Sequence, residues 1–189
     1  YPSKVMTTGT GGMLVTDDEK LAEYTMQMRL LGRNTKGSGV VLEGNDWFMD
    51  EIRACIGYYQ LLDLNKHIKK RGFIASTYDK AFKNKKTITL IKTPKGSINS
   101  YYQYTIILDK KINRDQLILK LKKKYNIMTK RIWLPTHQEY IFRKLSFNRN
   151  SLLKTEETFN SSLCLPIYYN LTQNSQKKVI KAVLKETPN

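Results

Sequence analysis

Residues 3–18 read SKVMTTGTGGMLVTDD, and this stretch places one lysine directly ahead of a glycine-rich turn. No other basic residue follows Lys4 before Lys20. Residues 5–8 and 13–16 predict two short strands, joined by glycines that can adopt positive φ. Burial of a lysine among small and apolar neighbours favours the free amine that attacks a carbonyl. We therefore expect a buried, reactive amine at Lys4, the alternative being a solvated lysine at a strand end.

The charge of the chain first suggests a nucleic-acid-binding protein. The 189 residues carry a formal net charge of +17, and a basic balance of this size is typical of that class. However, the lysines occur along the whole chain, with short clusters at 69–71, 83–86 and 122–124. We predict that these clusters lie near the ends of helices and strands and face solvent. A basic nucleic-acid-binding module remains the less favoured alternative.

The cysteines and histidines predict neither a disulfide framework nor a metal site. Cys55 and Cys164 are far apart, and no second histidine or cysteine stands at ligand spacing from His67. We expect His67 to face solvent in a lysine-rich helix start. The sequence has no apolar N-terminal run and no stretch of about 18 apolar residues. We therefore expect a reduced, soluble and cytoplasmic protein.

Hydrophobic periodicity and capping residues predict an α/β chain. Thr16 to Glu19 predict a helix start, and Gly32 predicts its end. Asn113 with Gln116 resembles a capping box, and Thr172 predicts the start of a last helix. The predicted elements after Gly32 comprise helices over 52–62 and about 65–83, strands over 87–91 and 101–108, and helices from Asn113 and Thr172.

Four separated stretches resemble one family in the same order. They are residues 3–18, residues 44–61 (GNDWFMDEIRACIGYYQL), Pro135-Thr136-His137, and residues 165–172 (LPIYYNLT). Together they are similar to the sugar aminotransferases often called DegT- or StrS-like. These are pyridoxal-phosphate enzymes of fold type I, similar in architecture to aspartate aminotransferase. The resemblance runs from end to end of the chain and covers about the C-terminal half of a family member.

The resemblance implies a role for Lys4 at the cofactor. In the family, the lysine of this segment binds the aldehyde of pyridoxal 5'-phosphate and then acts as the general base. The amino group passes from glutamate to a keto sugar nucleotide. Related dehydratases carry histidine at this position, so the lysine favours amino transfer.

The resemblance also implies a homodimer and further binding residues. The loop at Asn45 and Asp46 is similar to one that crosses to the cofactor phosphate of the neighbouring subunit. His137 corresponds to a histidine that faces the sugar substrate, and Tyr102 is a second candidate for lining the cleft. Phe48 stands where the family commonly has arginine, and Asp46 stands where many members have asparagine. Because a carboxylate repels phosphate, Asn45 is the alternative contact.

The expected architecture is the end of a large domain followed by a small one. Residues 1–65 are predicted to be the remainder of the large cofactor-binding domain, and residues 66–189 a small C-terminal α+β domain. The aspartate, stacked aromatic and hydroxyls that bind the cofactor in the family lie ahead of the lysine segment. We therefore expect that this chain alone neither binds the cofactor tightly nor turns over. A truncated or inactive paralogue remains a further alternative.

Overall fold

The structure is a computed structural model that describes residues 3–145 and 152–188. The chain divides into two compact units, Tyr1–Asn65 and Lys66–Asn189. That these units are the remainder of a large domain and a small domain stays a prediction. Helices and a small sheet together confirm the predicted α/β class. The helices and strands are α1 (Glu19–Arg29), α2 (Glu51–Phe82), β1 (Ile88–Leu90), β2 (Tyr104–Leu108), α3 (Arg114–Tyr125), α4 (Leu153–Ser161), β3 (Ser162–Leu165) and α5 (Gln173–Glu186).

Helix α1 begins and ends where the sequence predicts. Asp18 Oδ1 accepts the backbone N–H groups of Lys20 at 2.9 Å and Leu21 at 3.1 Å. These two bonds satisfy donors that the first turn of a helix leaves without partners. Gly32 follows the helix with φ of 74°, and a Cβ there would overlap the carbonyl of Leu42. The glycine thus permits both the turn and the close return of the chain.

The predicted hairpin in the first unit is wrong. Residues 3–16 form turns and irregular backbone, although Gly9 and Gly11 do adopt the expected positive φ. An isolated two-stranded hairpin is marginal without a third strand or a helix against its apolar face. Met13 and Val15 are 86% and 87% exposed, so the face that a sheet would cover is open.

Helix α2 is one continuous helix of 32 residues where the sequence predicts two. The predicted break lies between residues 62 and 65, which contain neither glycine nor proline. With no residue to disfavour helical backbone there, the two periodic segments join. The helix contributes residues to both units.

The second unit is built on an antiparallel sheet of order β1-β2-β3. Ile88 pairs with Leu108, and Tyr104 pairs with Leu165. Strand β2 begins at Tyr104, so the predicted strand over 101–108 is too long by three residues. Helix α3 begins at the predicted cap, where Asn113 Oδ1 accepts the N–H of Gln116 at 3.0 Å. The buried core joins the second part of α2 with the sheet, α3 and α5; its fully buried members include Ile74, Tyr78, Phe82, Ile106, Leu121, Leu163 and Val183.

Within residues 3–145 and 152–188, no helix is long and apolar enough to cross a bilayer. Across the same ranges, no group of three or more histidine, cysteine or acidic side chains has an arrangement that would hold a metal ion.

Candidate functional site

Lys4 lines a cavity of about 970 Å³ in the first unit. One wall comes from the glycine-rich turn and the other from the first turns of α2. The backbone N–H of Thr7 donates to Gln60 Oε1 at 2.9 Å, which ties the turn to the helix. Gly57 lies buried at their closest approach, since a Cβ there would stand 2.7 Å from Thr8 Cγ2. The cavity therefore depends on close packing between two segments 50 residues apart in sequence.

The lysine itself is exposed, whereas the sequence predicts a buried amine. The expected burial depended on the hairpin at residues 5–8 and 13–16, which does not form. The cavity lining includes Thr7, Thr8, Glu51 and Cys55. Both cysteines are free, and burial raises the pKa of the Cys164 thiol in the other unit.

Asn45 and Asp46 lie on a loop held at the end of α1. The backbone N–H of Asn45 donates to the carbonyl of Met28 at 2.8 Å, and Asp46 forms an antiparallel bridge with Leu30. Both residues are exposed, and neither belongs to the lining of the Lys4 cavity. The structure therefore does not bring the predicted phosphate contacts together with Lys4 in this cavity.

A cation from α1 lies beside the Phe48 ring. The guanidinium of Arg29, in the last turn of α1, lies 5.2 Å from the centre of the Phe48 ring. This is the range of a cation–π contact. A positive charge from α1 thus lies beside Phe48 of the loop.

His137 is paired with a carboxylate in the second unit. It lies on a 3₁₀ turn, Thr136–Gln138, and its Nε2 is 2.9 Å from Glu156 Oε1 on α4. The imidazole nitrogen and the carboxylate oxygen are within hydrogen-bond distance, so Glu156 helps to orient the ring. The His137 side chain is 12% exposed, so the ring is positioned by packing as well as by the carboxylate. The sequence did not indicate Glu156, because the two residues are 19 positions apart on different elements.

Tyr102 is half-buried and follows a residue with unusual backbone. Tyr101 has φ of 49°, which few residues other than glycine adopt. The N–H of Tyr101 donates to Asn99 Oδ1 at 2.8 Å, and its carbonyl accepts from Arg71 Nη1 at 2.9 Å. Both backbone groups ahead of Tyr102 are therefore fixed.

Arg71 was missed because it stands in a basic cluster predicted to face solvent near the end of a helix or strand. The cluster at 69–71 instead lies inside α2, and Arg71 is half-buried. Burial lowers the pKa of its guanidinium. A usable signal was present, since position 71 shares a helix face with the core residues Ile74 and Tyr78.

His67 also differs from its prediction. Its ring lies 4.5 Å from that of Tyr169, and the residue is half-buried rather than solvent-facing. The apolar face of α2 thus extends further toward the start of the second unit than the lysines around His67 suggest.

Comparison with known proteins identifies the family. Residues 1–184 match the DegT/DnrJ/EryC1/StrS aminotransferase family. An uncharacterized protein of Methanocaldococcus jannaschii is 30% identical over 98% of this chain and 52% of its own length. The UDP-4-amino-4,6-dideoxy-N-acetyl-beta-L-altrosamine transaminase of Helicobacter pylori is 29% identical over 96% of this chain and 49% of its own.

Solved structures agree in fold and in extent. The aminotransferase TlmJ from Streptoalloteichus hindustanus matches with a TM-score of 0.83 at 26% identity, covering 96% of this chain and 49% of its own. This chain spans about half the length of the curated relatives it matches. With a family match over nearly all of its residues, the chain belongs to the DegT/DnrJ/EryC1/StrS aminotransferase family.

Proposed function

We propose that this chain is the lysine-bearing half of a sugar aminotransferase that moves an amino group, from glutamate, onto a keto sugar nucleotide. The observation that carries the proposal is Lys4 at a cavity inside the segment that matches the family. The Helicobacter pylori relative is named as a transaminase of a UDP-linked amino sugar. That name supports a nucleotide sugar as the substrate class here.

Aminotransferases of this family depend on pyridoxal phosphate, and the lining of the cavity offers groups for the aldehyde end of that molecule beside the carboxylate of Glu51. Lys4 supplies a primary amine, and Thr7 and Thr8 supply hydroxyls. Lys4 is the one cationic side chain among the described residues that line the cavity. These groups suit the aldehyde and its neighbouring oxygen atoms. We assign the contacts to the phosphate and the ring nitrogen to residues outside the lining of this cavity.

The role of Lys4 in the proposal has two parts. Its Nζ would hold the cofactor at the aldehyde group, and as a free amine it would serve as the base that moves a proton at the substrate carbon. When bound, the cofactor supplies an electron-withdrawing ring that makes this proton acidic. Lys4 is an exposed residue and lines the cavity.

The loop at Asn45 and Asp46 is proposed to act in a homodimer. Both side chains are exposed and lie outside the cavity lining of their own chain, which suits contact with a second subunit. Asn45 is the favoured phosphate contact, since its amide donates where the Asp46 carboxylate repels. The Arg29 guanidinium near Phe48 adds a compensating positive charge.

His137 and Tyr102 are proposed to contact the sugar. Glu156 holds the His137 ring through Nε2, and the fixed backbone of Tyr101 positions Tyr102. Because these contacts restrain His137 and Tyr102, the two side chains are suited to orienting a substrate.

The test is chemical labelling of the lysine in the whole protein. Incubation with pyridoxal phosphate, reduction with borohydride and peptide mapping are expected to place the label on Lys4. Lys4→Arg retains the charge and is expected to lose both the label and amino transfer. The matched control Lys20→Arg changes the next lysine along the chain and is expected to retain both. A label on any other lysine overturns the assignment, and absence of labelling with absence of transfer supports the inactive paralogue.

A further inference from the structure

The guanidinium of Arg71 is engaged through one of its nitrogens. Nη1 donates to the carbonyl oxygens of Tyr101 at 2.9 Å and Ile167 at 3.2 Å. These two bonds use both hydrogens of Nη1. Among the residues that the structure describes, Nε and Nη2 have no hydrogen-bond or ion-pair partner. Their three N–H groups form the edge that binds carboxylate or phosphate in a bidentate manner.

Arg71 is partly removed from water and has no carboxylate partner among the described residues. The residue is half-buried, and burial alone accounts for the lowered pKa of its guanidinium. No carboxylate in the described part of the chain forms an ion pair with it. Charges removed from water are normally paired, because the loss of hydration is costly. An incoming anion would supply the missing counter-charge.

Arg71 lies in a lysine-rich stretch of α2. Lys66 lies 6.0 Å from the ring of Tyr169, and His67 packs against the same ring at 4.5 Å. Lys70 adjoins Arg71 in sequence. His67 stands one helical turn before Arg71, so both lie on the same face of α2. Lys66, Lys69, Lys70 and Arg71 give this stretch of α2 a net positive charge, which favours the approach of anions.

The position of Arg71 relative to Tyr102 connects this group with a substrate. Its Nη1 holds the carbonyl of Tyr101, the residue directly ahead of Tyr102. Tyr101 carries a left-handed φ of 49°, and strained backbone of this kind is enriched at functional sites. Arg71 and Tyr102 are thereby linked through one peptide group.

We propose that Arg71 is an oxyanion-binding residue, whose Nε–Nη2 edge takes a carboxylate or phosphate group of a substrate while Nη1 stays on the two carbonyls. Both reactants of the proposed transfer carry such a group, glutamate as carboxylate and the sugar nucleotide as diphosphate. The site stands on the contacts of Arg71, and the assignment of its ligand to a substrate rests on the proposed function.

The experiment measures binding of two probes, L-glutamate and uridine diphosphate, to the whole protein by calorimetry. Arg71→Gln is expected to weaken binding of one probe about 10- to 100-fold, the effect of removing a charge-assisted pair of bonds. Arg71→Lys is expected to weaken the same probe, because an ammonium lacks the planar fork. Lys69→Gln removes an exposed charge two positions away and is expected to leave both affinities unchanged.

The outcomes separate the two ligand sources. Weaker binding of glutamate alone identifies a carboxylate site, and weaker binding of uridine diphosphate alone identifies a phosphate site. Unchanged affinity for both probes in a folded variant overturns the proposal, as does failure of the wild type to bind either probe. If Arg71→Gln does not fold, Arg71→Lys decides, because its ammonium can still donate to the carbonyls.

Lys4 labelling of the same preparations separates this proposal from the proposed function. If probe binding depends on Arg71 but Lys4 is not labelled, the proposed aminotransferase function is refuted and the anion-site proposal stands. If Lys4 is labelled but probe binding does not change on substitution of Arg71, only the anion-site proposal is refuted.

Discussion

At the residue scale, two hydrogen-bond donors stabilise the charged form of the Glu186 carboxylate. Tyr125 Oη donates to Glu186 Oε1 at 2.6 Å, and Lys124 Nζ donates at 3.0 Å. The hydrogen bond from Tyr125, followed by that from Lys124, lowers the pKa of Glu186 below its ordinary 4.5. The Glu186 side chain is 11% exposed. Its bonds to Tyr125 and Lys124 join the end of α5 to the end of α3.

This cluster predicts a pH-dependent stability. A pKa lower in the folded than in the unfolded state stabilises the fold above the unfolded value, and the contribution is lost as pH falls through the folded value. Glu186→Gln is therefore expected to lower the thermal midpoint near pH 7, with the difference from wild type shrinking below about pH 4. Glu157→Gln, at an exposed pair with Lys110, is the control and is expected to change little. A difference that stays constant from pH 7 to 3 contradicts the prediction.

Single residues were predictable where their chemistry acts on neighbours in sequence. Asp18 and Asn113 cap helices through bonds two or three residues away, as their residue types indicate. The pairing of His137 with Glu156 and the contacts of Arg71 with Tyr101 and Ile167 span 19, 30 and 96 positions. Such partners are set by packing of separate elements, so residue type and local spacing could not identify them.

At the element scale, α2 offers two glycines in contrasting surroundings. Gly72 has no atom within 4 Å of a would-be Cβ, whereas Gly57 has Thr8 Cγ2 at 2.7 Å. Both lie in helix interiors, where alanine is favoured over glycine by about 1 kcal/mol. Substitution by alanine is therefore expected to stabilise the helix at Gly72, whereas at Gly57 a steric clash with Thr8 opposes this stabilisation.

Gly72→Ala is therefore expected to raise the free energy of unfolding by about 0.5 to 1 kcal/mol. Gly57→Ala is expected to bring no such gain and to displace Thr8 from the wall of the Lys4 cavity. Denaturant unfolding compares the two variants, and the rate of borohydride labelling at Lys4 reports the displacement. Equal stabilisation by both substitutions, with unchanged labelling, would show that the turn does not pack on Gly57 in solution.

Helices and strands were predictable where their sequence signals were local. The prediction was wrong where the element needed a pairing strand or a covering layer. The boundaries of α1, α3 and α5 follow from caps and periodicity, and Thr172 accepts the N–H of Ser175 at 3.1 Å as its position indicates. The hairpin at residues 5–8 and 13–16 did not form, because strands need a pairing edge and a covering layer. Strand β3 was missed because residues 162–165 are too short a run to distinguish from loop packing.

The two units differ in what they bury at the scale of the whole molecule. All buried apolar residues of the described chain, including the cluster from Ile74 to Val183, belong to the second unit. In the first unit, the described apolar side chains are partly or fully exposed, with Ile52 at 75%. Burial of apolar surface is the main stabilising contribution to folding. The second unit therefore has the means to be stable by itself, and the first unit depends on a covering surface.

This asymmetry predicts how the 189-residue chain behaves when produced alone. We expect amides of β2, α3 and α5 to be protected from hydrogen exchange and amides of residues 3–16 to exchange rapidly, since local stability follows buried contacts. Lys4 then lacks a fixed cavity, and the described lining supplies no second cation for a phosphate. The isolated chain is therefore expected neither to bind pyridoxal phosphate tightly nor to transfer amino groups, which spectrophotometric titration and a coupled assay measure. The whole protein is the matched control. Detectable transamination by the isolated chain would refute the prediction, because it would require a complete cofactor site within these residues.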